Sequence, residues 1–407
     1  MCRFNSEVSC LRSQTGKGSK MLERLVELIE GKRSELRRLS DDIWSHPEIL
    51  FKEKYAVQRC KEYLESLGYD ITLPYCGLDT AFRCECGNAD GPVFAFCSEY
   101  DALPEIGHGC GHNLICAAGI AAFCAVAELL KQGKLQGRVV LFGTPGEEGG
   151  GGKVKMQAEG CLNGVDAVAM VHPSAKTSAD FGSTSNIGLE IVFHGKAAHA
   201  AGAPEKGINA LDAVQLLFAG VNAYRQHIPE HARFHGVILD GGAAPNIIPD
   251  YARCRFYIRS GEESWAPVLE KRFRDIVKGA ELMTGARAEI TPFRPGYRSR
   301  KPNAPMNNVY VDTIRKLGLK PFVPEHAGRG SSDFGNFSQE RPGIHAYFAV
   351  SDIAEPPGHS VEFRECAGKD AAFDNAMKAA AALAMVGAQY ISDPQFRKEV
   401  QEDFAGK

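Results

Sequence analysis

The sequence predicts an α/β protein in which a mostly parallel sheet, covered by helices on both faces, carries a smaller inserted domain. Two observations support this fold class. Apolar runs typical of doubly buried strands alternate with helical patterns up to about residue 184. From residue 185 to 298 the pattern becomes strand, helix, strand, strand, helix, strand, which is the ferredoxin-like βαββαβ order.

Residues 21–184 are predicted to form the first part of the main domain. Amphipathic helices are expected over "MLERLVELIEGKRSELRRLSDDIWSHPEI" and over "AVQRCKEYLESLGYD", which ends at Gly68. The apolar strands "PVFAFCSEYD", "GRVVLFGTPGEE" and "DAVAMVHPS" follow, with a long apolar helix from about Asn113 to Lys131 between the first two. The polar segment 1–20 is predicted to be disordered.

The inserted domain, residues 185–298, contains the predicted strands "NIGLEIVFHG", "RFHGVILDGG", "YARCRFYIRS" and "RAEITPF". Two long helical patterns separate them, one before the second strand and one before the last. The Pro- and Arg-rich stretch "RPGYRSRKPNAP" is expected to return the chain to the main domain. Residues 299–407 would complete that domain and include the apolar helix "DAAFDNAMKAAAALAMVGAQYI".

Composition narrows the classes of function. The chain has 407 residues, with 47 basic and 50 acidic side chains and a net charge of -3, so we expect no bulk attraction to nucleic acid or to a membrane. Its 13 cysteines form no C-x-x-C pair and lie scattered, often in apolar runs, which favours a reducing compartment, the cytoplasm. We expect no signal peptide and no apolar run that approaches the ~20 residues of a membrane span.

Candidate metal ligands follow the predicted strands. Asp101, the pair Glu147–Glu148 and His172 each stand at the end of one strand. The carboxyl ends of parallel strands meet at one edge of a sheet, where ligands of such folds bind. The segment "GHGCGHN" contributes Cys110 and His112 close by. Cysteine, histidine and carboxylate together are the ligand set of a zinc-like ion.

Taken singly, each of these residues has a structural interpretation. A loop cysteine such as Cys110 is usually a small buried residue. Glu147–Glu148 reads as a solvated acidic pair, His172 as a strand cap, and His359 in "PPGHS" as a loop histidine. Their joint occurrence at strand ends and adjoining loops favours the metal site.

The run "GEEGGGGK" suggests a phosphate-binding loop instead, but the spacing excludes it. A P-loop requires glycine five residues before Gly152 and serine or threonine after Lys153. Those positions are Glu147 and Val154, and two carboxylates would repel a phosphate. The sequence therefore predicts no nucleotide site here.

The motifs "EYDALP", "GHGCGHN", "TPGEEGGGGK", "VHPS", "FHGKAAHA", "PNIIP", "SSDFGN" and "PGHS" occur in an order that resembles the M20 metallopeptidase and amidohydrolase family. The resemblance extends from about residue 20 to 390 and is nearest to the branch with aminoacylase-like amidohydrolases, aminobenzoyl-glutamate hydrolase and β-alanyl-lysine-type dipeptidases. It implies a zinc-peptidase-like catalytic domain with an inserted lid used for dimerisation. Asn113 departs from the aspartate usual in much of that branch, which leaves the substrate open.

The resemblance also implies a set of metal ligands. Cys110 would bridge or bind two divalent ions, with zinc favoured by ligand softness and manganese possible. His112 and Glu148 would complete one site, and His172 and His359 would serve the other.

Further roles come from the same resemblance. Glu147 would be the general base toward a metal-activated water, and Asp101 would orient a ligand histidine. In the lid, His199 would stabilise the oxyanion, reaching the site of a partner subunit, and Asn246 would hold the substrate's carboxylate or carbonyl. His108 would lie at the edge of the site.

Three functions are consistent with these residues. The leading hypothesis is a metal-dependent homodimeric amidohydrolase that cleaves a dipeptide or an N-acyl amino acid. An alternative is an enzyme that forms an amide bond with the same site run in reverse. A non-catalytic metal-binding scaffold is the third, and the presence of Glu147 beside the whole ligand set argues against it.

Overall fold

The computed structural model describes residues 17–88, 90–324, 326, 328 and 330–406 of the chain. These residues form two compact units. The smaller unit comprises the described residues of Ser183–Arg300 and of the separate segment Gly328–Gly335, and the other described residues form the larger unit. Of the N-terminal segment predicted to be disordered, residues 1–16 lie outside the described residues. The prediction was wrong for residues 17–20, which begin the first helix.

The larger unit is built on a six-stranded sheet with the order β1-β2-β4-β3-β5-β10. Strands β4, β3, β5 and β10 run parallel to one another, with β10 at one edge of the sheet, whereas β1 and β2 pair antiparallel at the other edge. The strands are β1 Ile71–Thr72, β2 Phe82–Gly87, β3 Val93–Ser98, β4 Arg138–Gly143, β5 Ala167–Ser174 and β10 Gly343–Ala349. Every residue of β3 is buried, which explains why its sequence is continuously apolar.

Helices cover this sheet. They are α1 Lys17–Glu30, α2 Arg33–Ser45, α3 Lys54–Ser66, α4 His112–Lys131, α5 Gly152–Ala158, α8 Ala304–Lys316, α9 Phe334–Glu340, α10 Val361–Ala367, α11 Asp370–Ser392 and α12 Pro394–Ala405. In α2 the buried residues recur at helical spacing, at Leu36, Leu39, Ser40 and Ile43, so one stripe faces the core. The first two residues of α9, as far as Gly335, belong to the smaller unit, so the division between the units falls within this helix.

Helix α4 is the central helix of the core in the larger unit. Of its 20 residues only the side chains of Glu128, Leu130 and Lys131 escape burial. By length and composition it is apolar enough to cross a membrane, so the expectation that no run approaches such a span was wrong. However, 89% of its most apolar window is buried inside the fold, as in the core helix of a globular protein. The apolar character of α4 is therefore explained by packing.

The smaller unit has the ferredoxin-like arrangement that the sequence predicts. Its four strands β6 Ser185–His194, β7 Ala232–Asp240, β8 Tyr251–Ser260 and β9 Arg287–Pro292 form an antiparallel sheet of order β7-β8-β6-β9. Helices α6 Ala210–Tyr224 and α7 Trp265–Thr284 cover one face with a core of their own. The side chain of Asn209 caps α6 by accepting hydrogen bonds from the N–H groups of Leu211 and Asp212. The predicted fold class is thus confirmed in both units.

Candidate metal centre

Three neighbouring parallel strands of the larger unit deliver acidic and imidazole groups to one edge of the sheet. Strand β3 is followed by Glu99 and Asp101, and β4 is followed by the loop that carries Glu147 and Glu148. His172 lies near the end of β5, which pairs in parallel with β3. The convergence that the sequence predicts at the carboxyl ends of these strands is observed.

The start of α4 brings Cys110 and His112 to the same edge. Gly111, immediately before the helix, has a left-handed conformation with φ of 73°. A Cβ atom at this position would lie only 2.7 Å from Cγ of Pro173. Glycine therefore allows both the turn into the helix and its close approach to the end of β5. His112, the first residue of α4, is completely buried.

The candidate ligand atoms lie close together. Cys110 Sγ is 3.4 Å from His172 Nε2, and Glu148 Oε1 is 3.5 Å from His359 Nε2 and 3.9 Å from His112 Nε2. Among the residues that the structure describes, three groups have all their ligand atoms within 4.8 Å of one another: Cys110 with His112 and His172, Cys110 with Glu148 and His359, and His112 with Glu147 and Glu148. The structure thus brings together the whole predicted ligand set and Glu147.

His359 reaches this cluster from a strained backbone. Its φ is 63°, in the left-handed region that a residue with a side chain seldom adopts, and its N–H donates a 2.9 Å hydrogen bond to the carbonyl of Gly109. Such strain is found preferentially at functional positions. The bond to Gly109 joins the loop of His359 to the loop that carries Cys110.

The partners of the buried histidines determine which ring nitrogen faces the cluster. His112 Nδ1 lies 3.0 Å from Asp101 Oδ1, while Asp101 Oδ2 accepts the N–H of Glu148 at 3.0 Å. His172 Nδ1 lies 2.6 Å from the carbonyl oxygen of Pro173 and donates to it. Because both Nδ1 protons are used in this way, the Nε2 lone pairs of His112 and His172 are available to a cation.

The electrostatics of this cluster are dominated by burial and by the partner charges. Burial alone would lower the pKa of His112, but the neighbouring Asp101 carboxylate and Cys110 raise it well above its usual value. Burial would raise the pKa of Asp101, yet the charge of His112 and the hydrogen bonds keep it low. For Cys110, burial and then the Glu148 carboxylate raise the pKa of the thiol. Without a cation, therefore, the thiol is held in its protonated form.

Two of these ligand atoms are buried without a hydrogen-bond partner among the described residues. They are Nε2 of His112 and Oε1 of Glu148, which face each other at 3.9 Å. A metal ion would satisfy both buried atoms, once it displaces the proton that the raised pKa of His112 keeps on the ring. The thiol, imidazole and carboxylate donors present suit a divalent metal ion. The site therefore fits a divalent metal.

Several buried residues next to the cluster were missed by the sequence analysis. Glu99 Oε2 is 3.6 Å from His112 Nε2, and its other oxygen accepts a hydrogen bond from Lys153 Nζ; both side chains are fully buried. His345 on β10 stacks on the ring of His172 with centroids 5.2 Å apart. Glu99 could have been found from the sequence, because it stands two residues before Asp101 at the end of the same strand. No sequence feature distinguishes His345 within its apolar strand.

Asn113 and His108 have mainly structural surroundings. The amide of Asn113 donates hydrogen bonds to Ser40 Oγ at 3.0 Å and to the carbonyl of Ala367 at 3.3 Å. An aspartate could make neither bond as a donor, which gives a structural reason for asparagine here. His108 is 1% exposed, and burial, with the charge of His112 next, lowers its pKa to about 4, so its ring is neutral.

His199 and Asn246 lie in the smaller unit, on two segments that pair with each other. His199 forms an antiparallel bridge with Ile247, and the N–H of Ala200 donates to the carbonyl of Asn246 at 3.0 Å. His199 Nδ1 accepts from the N–H of Gly202 at 3.0 Å, so its proton resides on Nε2. Both side chains are exposed, and their catalytic roles stay predictions.

A two-unit α/β fold whose sheet edge gathers cysteine, histidine and carboxylate side chains is the arrangement expected of a metal-dependent hydrolase. Comparison with known proteins agrees. The profile described as "Peptidase family M20/M25/M40" matches residues 95–386. The chain belongs to this family.

Two relatives and one solved structure illustrate the match. The Xaa-Arg dipeptidase of Mus musculus is 36% identical over 94% of this chain and 92% of its own length. One of the subunits of the p-aminobenzoyl-glutamate hydrolase of Escherichia coli (strain K12) is 36% identical over 74% of this chain and 66% of its own length. A Bacillus subtilis protein described as a dinuclear metal binding peptidase from the M20 family has a TM-score of 0.65 at 24% identity, covering 88% of this chain and 99% of that one. The predicted family and enzyme class are confirmed.

Proposed function

We propose that this protein hydrolyses the amide bond of a dipeptide or an N-acyl amino acid at the cluster around Cys110. The observation that carries the proposal is the pair of buried ligand atoms of His112 and Glu148, which have no hydrogen-bond partner among the described residues and lie within the cluster of the remaining ligands. The names of the two relatives, an Xaa-Arg dipeptidase and a p-aminobenzoyl-glutamate hydrolase, describe one substrate of each kind.

Two divalent ions per chain are part of this proposal. Cys110 belongs to two of the three ligand groups, which suits a thiolate shared between two ions. His112 and Glu148, which share a ligand group, would hold one ion, and His172 and His359, each grouped with Cys110, would hold the other. Glu148 lies near His359 as well as His112, so a carboxylate shared between the ions fits equally well. Zinc is favoured because thiolate and imidazole are its preferred donors, and manganese is the alternative.

When bound, the ions would act as Lewis acids and bring the pKa of water to ~7. Glu147 would accept a proton there and pass it to the leaving amine, and its side chain, 8% exposed and within 4.8 Å of the His112 and Glu148 ligand atoms, supports this role. Asp101 holds His112 in the tautomer that presents the Nε2 lone pair. The same carboxylate fixes the backbone of Glu148.

The smaller unit would complete the site across a dimer. His199, with its proton on Nε2, is a neutral hydrogen-bond donor suited to a developing oxyanion, and the adjoining Asn246 would hold the substrate's carboxylate or carbonyl. Strand β7 lies at the edge of its sheet, and Val237, Ile238 and Leu239 are 54%, 43% and 41% exposed. An apolar edge strand invites pairing with another chain, so we propose that β7 contributes to the homodimer contact. We also propose a cytoplasmic location, on the basis of the scattered cysteines of the sequence.

The test combines metal analysis with a panel of substrates. Gently purified protein, supplied with zinc or with manganese, is offered dipeptides and N-acyl amino acids, and the released amine is quantified. We expect turnover of at least one of the two classes by the wild type, and about 10²–10⁴-fold less by Glu147→Gln with the same metal content. Metal-loaded wild-type protein that cleaves neither class would refute the proposed function, and so would a failure to bind either metal.

A further inference from the structure

A second concave site lies within the smaller unit, on the face of its sheet opposite the two helices. The cavity measures about 430 Å³, within the range of small-molecule sites. Residues of β7, β8 and the segment after β9 line it: His235, Gly236, Val237, Leu239, Arg255, Phe256, Tyr257, Phe293 and Arg294. None of these residues belongs to the metal centre described above.

The end of β9 forms one wall of this cavity. The N–H of Phe293 donates to the carbonyl of Gly188 on β6 at 3.2 Å, so the chain stays paired with β6 just beyond the end of β9. A Cβ atom on Gly188 would lie 3.0 Å from Cγ of Arg294 and 3.1 Å from the ring of Phe293. The absence of a side chain at Gly188 thus leaves room for Phe293 and Arg294 to lie over the sheet and face Tyr257.

Cationic and aromatic groups alternate in the cavity. The guanidinium of Arg294 lies 4.9 Å from the ring centre of Tyr257 and 5.6 Å from that of Phe293. The guanidinium of Arg255 lies 4.8 Å from the ring centre of Phe293, and that of Arg259 lies 5.5 Å from the ring centre of Tyr257. Stacking of this kind orients a guanidinium while leaving its N–H groups free to bind.

The cavity carries an excess of positive charge. Arg255 is paired with Glu190, whose Oε2 lies 2.7 Å from its Nε. Arg294, in contrast, makes no hydrogen bond or ion pair within the described part of the chain, although its side chain is half-buried. Burial, with the charge of Arg294 adding to it, lowers the pKa of Arg259. Two guanidinium groups thus lie against one tyrosine ring, and that of Arg294, which lines the cavity, is the one available to an anion.

We propose that this cavity binds an organic carboxylate with a planar or apolar body. The carboxylate would pair with the fork of Arg294, and the body would lie against Tyr257 and Phe293. The site is assigned from the smaller unit alone. It holds whether the ligand is the carboxylate of the enzyme's own substrate or product, which would rest on the proposed function, or a separate metabolite.

The binding test uses the metal-loaded protein, with benzoate as the probe and benzamide as its neutral isostere, followed by isothermal titration calorimetry. We expect benzoate to bind and benzamide to bind at least about tenfold more weakly, since a charged hydrogen-bonded pair contributes roughly 1.5–3 kcal/mol. Arg294→Gln should weaken benzoate about tenfold, and Arg294→Lys should fall between the two. Arg272→Gln is the matched control, because Arg272 stacks on Tyr224 at 5.7 Å outside the cavity and should leave benzoate binding unchanged.

Equal affinity of wild type and Arg294→Gln for benzoate would overturn the proposal. Benzoate would then bind elsewhere, for example at the metal ions, where its affinity does not depend on Arg294. Lack of benzoate binding to the wild type would overturn it as well. Steady-state kinetics then distinguish the two sources. A raised KM in Arg294→Gln with unchanged kcat assigns the site to the substrate's carboxylate, whereas unchanged kinetics with lost benzoate binding assign it to a separate metabolite. Because calorimetry requires no turnover, failure of the proposed activity would not be mistaken for failure of this site.

Discussion

Replacing Asp101 with asparagine should weaken metal binding although Asp101 itself is not a proposed ligand. Its two oxygens accept from Nδ1 of His112 and from the N–H of Glu148, both at 3.0 Å, and its side chain is fully buried. An amide has one acceptor oxygen and one donor nitrogen. In either orientation, Asp101→Asn therefore sets a donor against a donor and loses one of the two bonds.

The magnitude follows from what each orientation does. An NH₂ group facing His112 forces the tautomer that carries its proton on Nε2, so the lone pair no longer faces the cluster; an NH₂ group facing Glu148 releases the backbone of a ligand. Loss of such an orienting partner typically costs 10–100-fold in metal affinity, or roughly 1.4–2.7 kcal/mol. We expect a loss in this range for zinc.

The assay is competition for zinc with a chromophoric chelator at constant pH, run on wild type and on Asp101→Asn. Asp166→Asn is the matched control, since Asp166 also accepts a backbone hydrogen bond, from the N–H of Val93 at 2.7 Å, but stands at the amino end of the strands. The control should retain wild-type affinity. A zinc affinity of Asp101→Asn within about threefold of wild type would refute the reasoning about tautomer and backbone.

Three other outcomes are expected. Glu147→Gln should reduce turnover by about 10²–10⁴-fold with metal retained, whereas Glu148→Gln should lose metal; the opposite pattern in metal analysis would exchange their roles. Mixing inactive Glu147→Ala and His199→Ala homodimers should restore roughly a quarter of the sites if His199 acts across a two-fold dimer, and verified exchange without recovery would exclude this. Burial, then the charge of Asp101, raises the pKa of Glu53 to about 7. Because the pKa of Glu53 is higher in the folded state than in the unfolded state, its contribution to the stability of the fold is fully present below pH 4.5. This contribution is lost as the pH rises through about 7. Glu53→Gln should therefore lose less thermal stability than wild type between pH 5 and pH 8, and an identical loss would contradict the assignment.

Much of the fold could be predicted because burial leaves a direct mark on sequence. β3, β4 and β5 are buried on both faces and read as continuous apolar runs, and their order with intervening helices gives a parallel sheet. β1 and β2 escaped notice because they form the antiparallel edge, where Cys84 and Cys86 alternate with charged residues in a short partly exposed strand. The membership of Gly328–Gly335 in the smaller unit is a long-range contact that no local pattern encodes.

For the site, the sequence showed which residues end strands, and parallel topology then required them to meet. It could not show pairwise geometry, such as Asp101 serving both His112 and Glu148. The Glu99–Lys153 pair was missed for a physical reason. Lysine is almost never fully buried unless paired, so the Lys153 that follows the glycine run was weighed as a phosphate ligand rather than as the partner of a carboxylate distant in sequence.

Helix α4 begins at the proposed ligand His112 and continues as the most deeply buried helix of the larger unit. The same helix therefore joins the metal centre to the core, so that metal binding and the packing of the core are coupled. An ion that binds only the folded chain shifts the folding equilibrium toward the folded state, by an amount set by the free ion concentration relative to the Kd. Metal supply would thus govern not only how fast each molecule works but also how many molecules survive: in a metal-starved cell, the larger unfolded fraction of the apoprotein would be exposed to proteases.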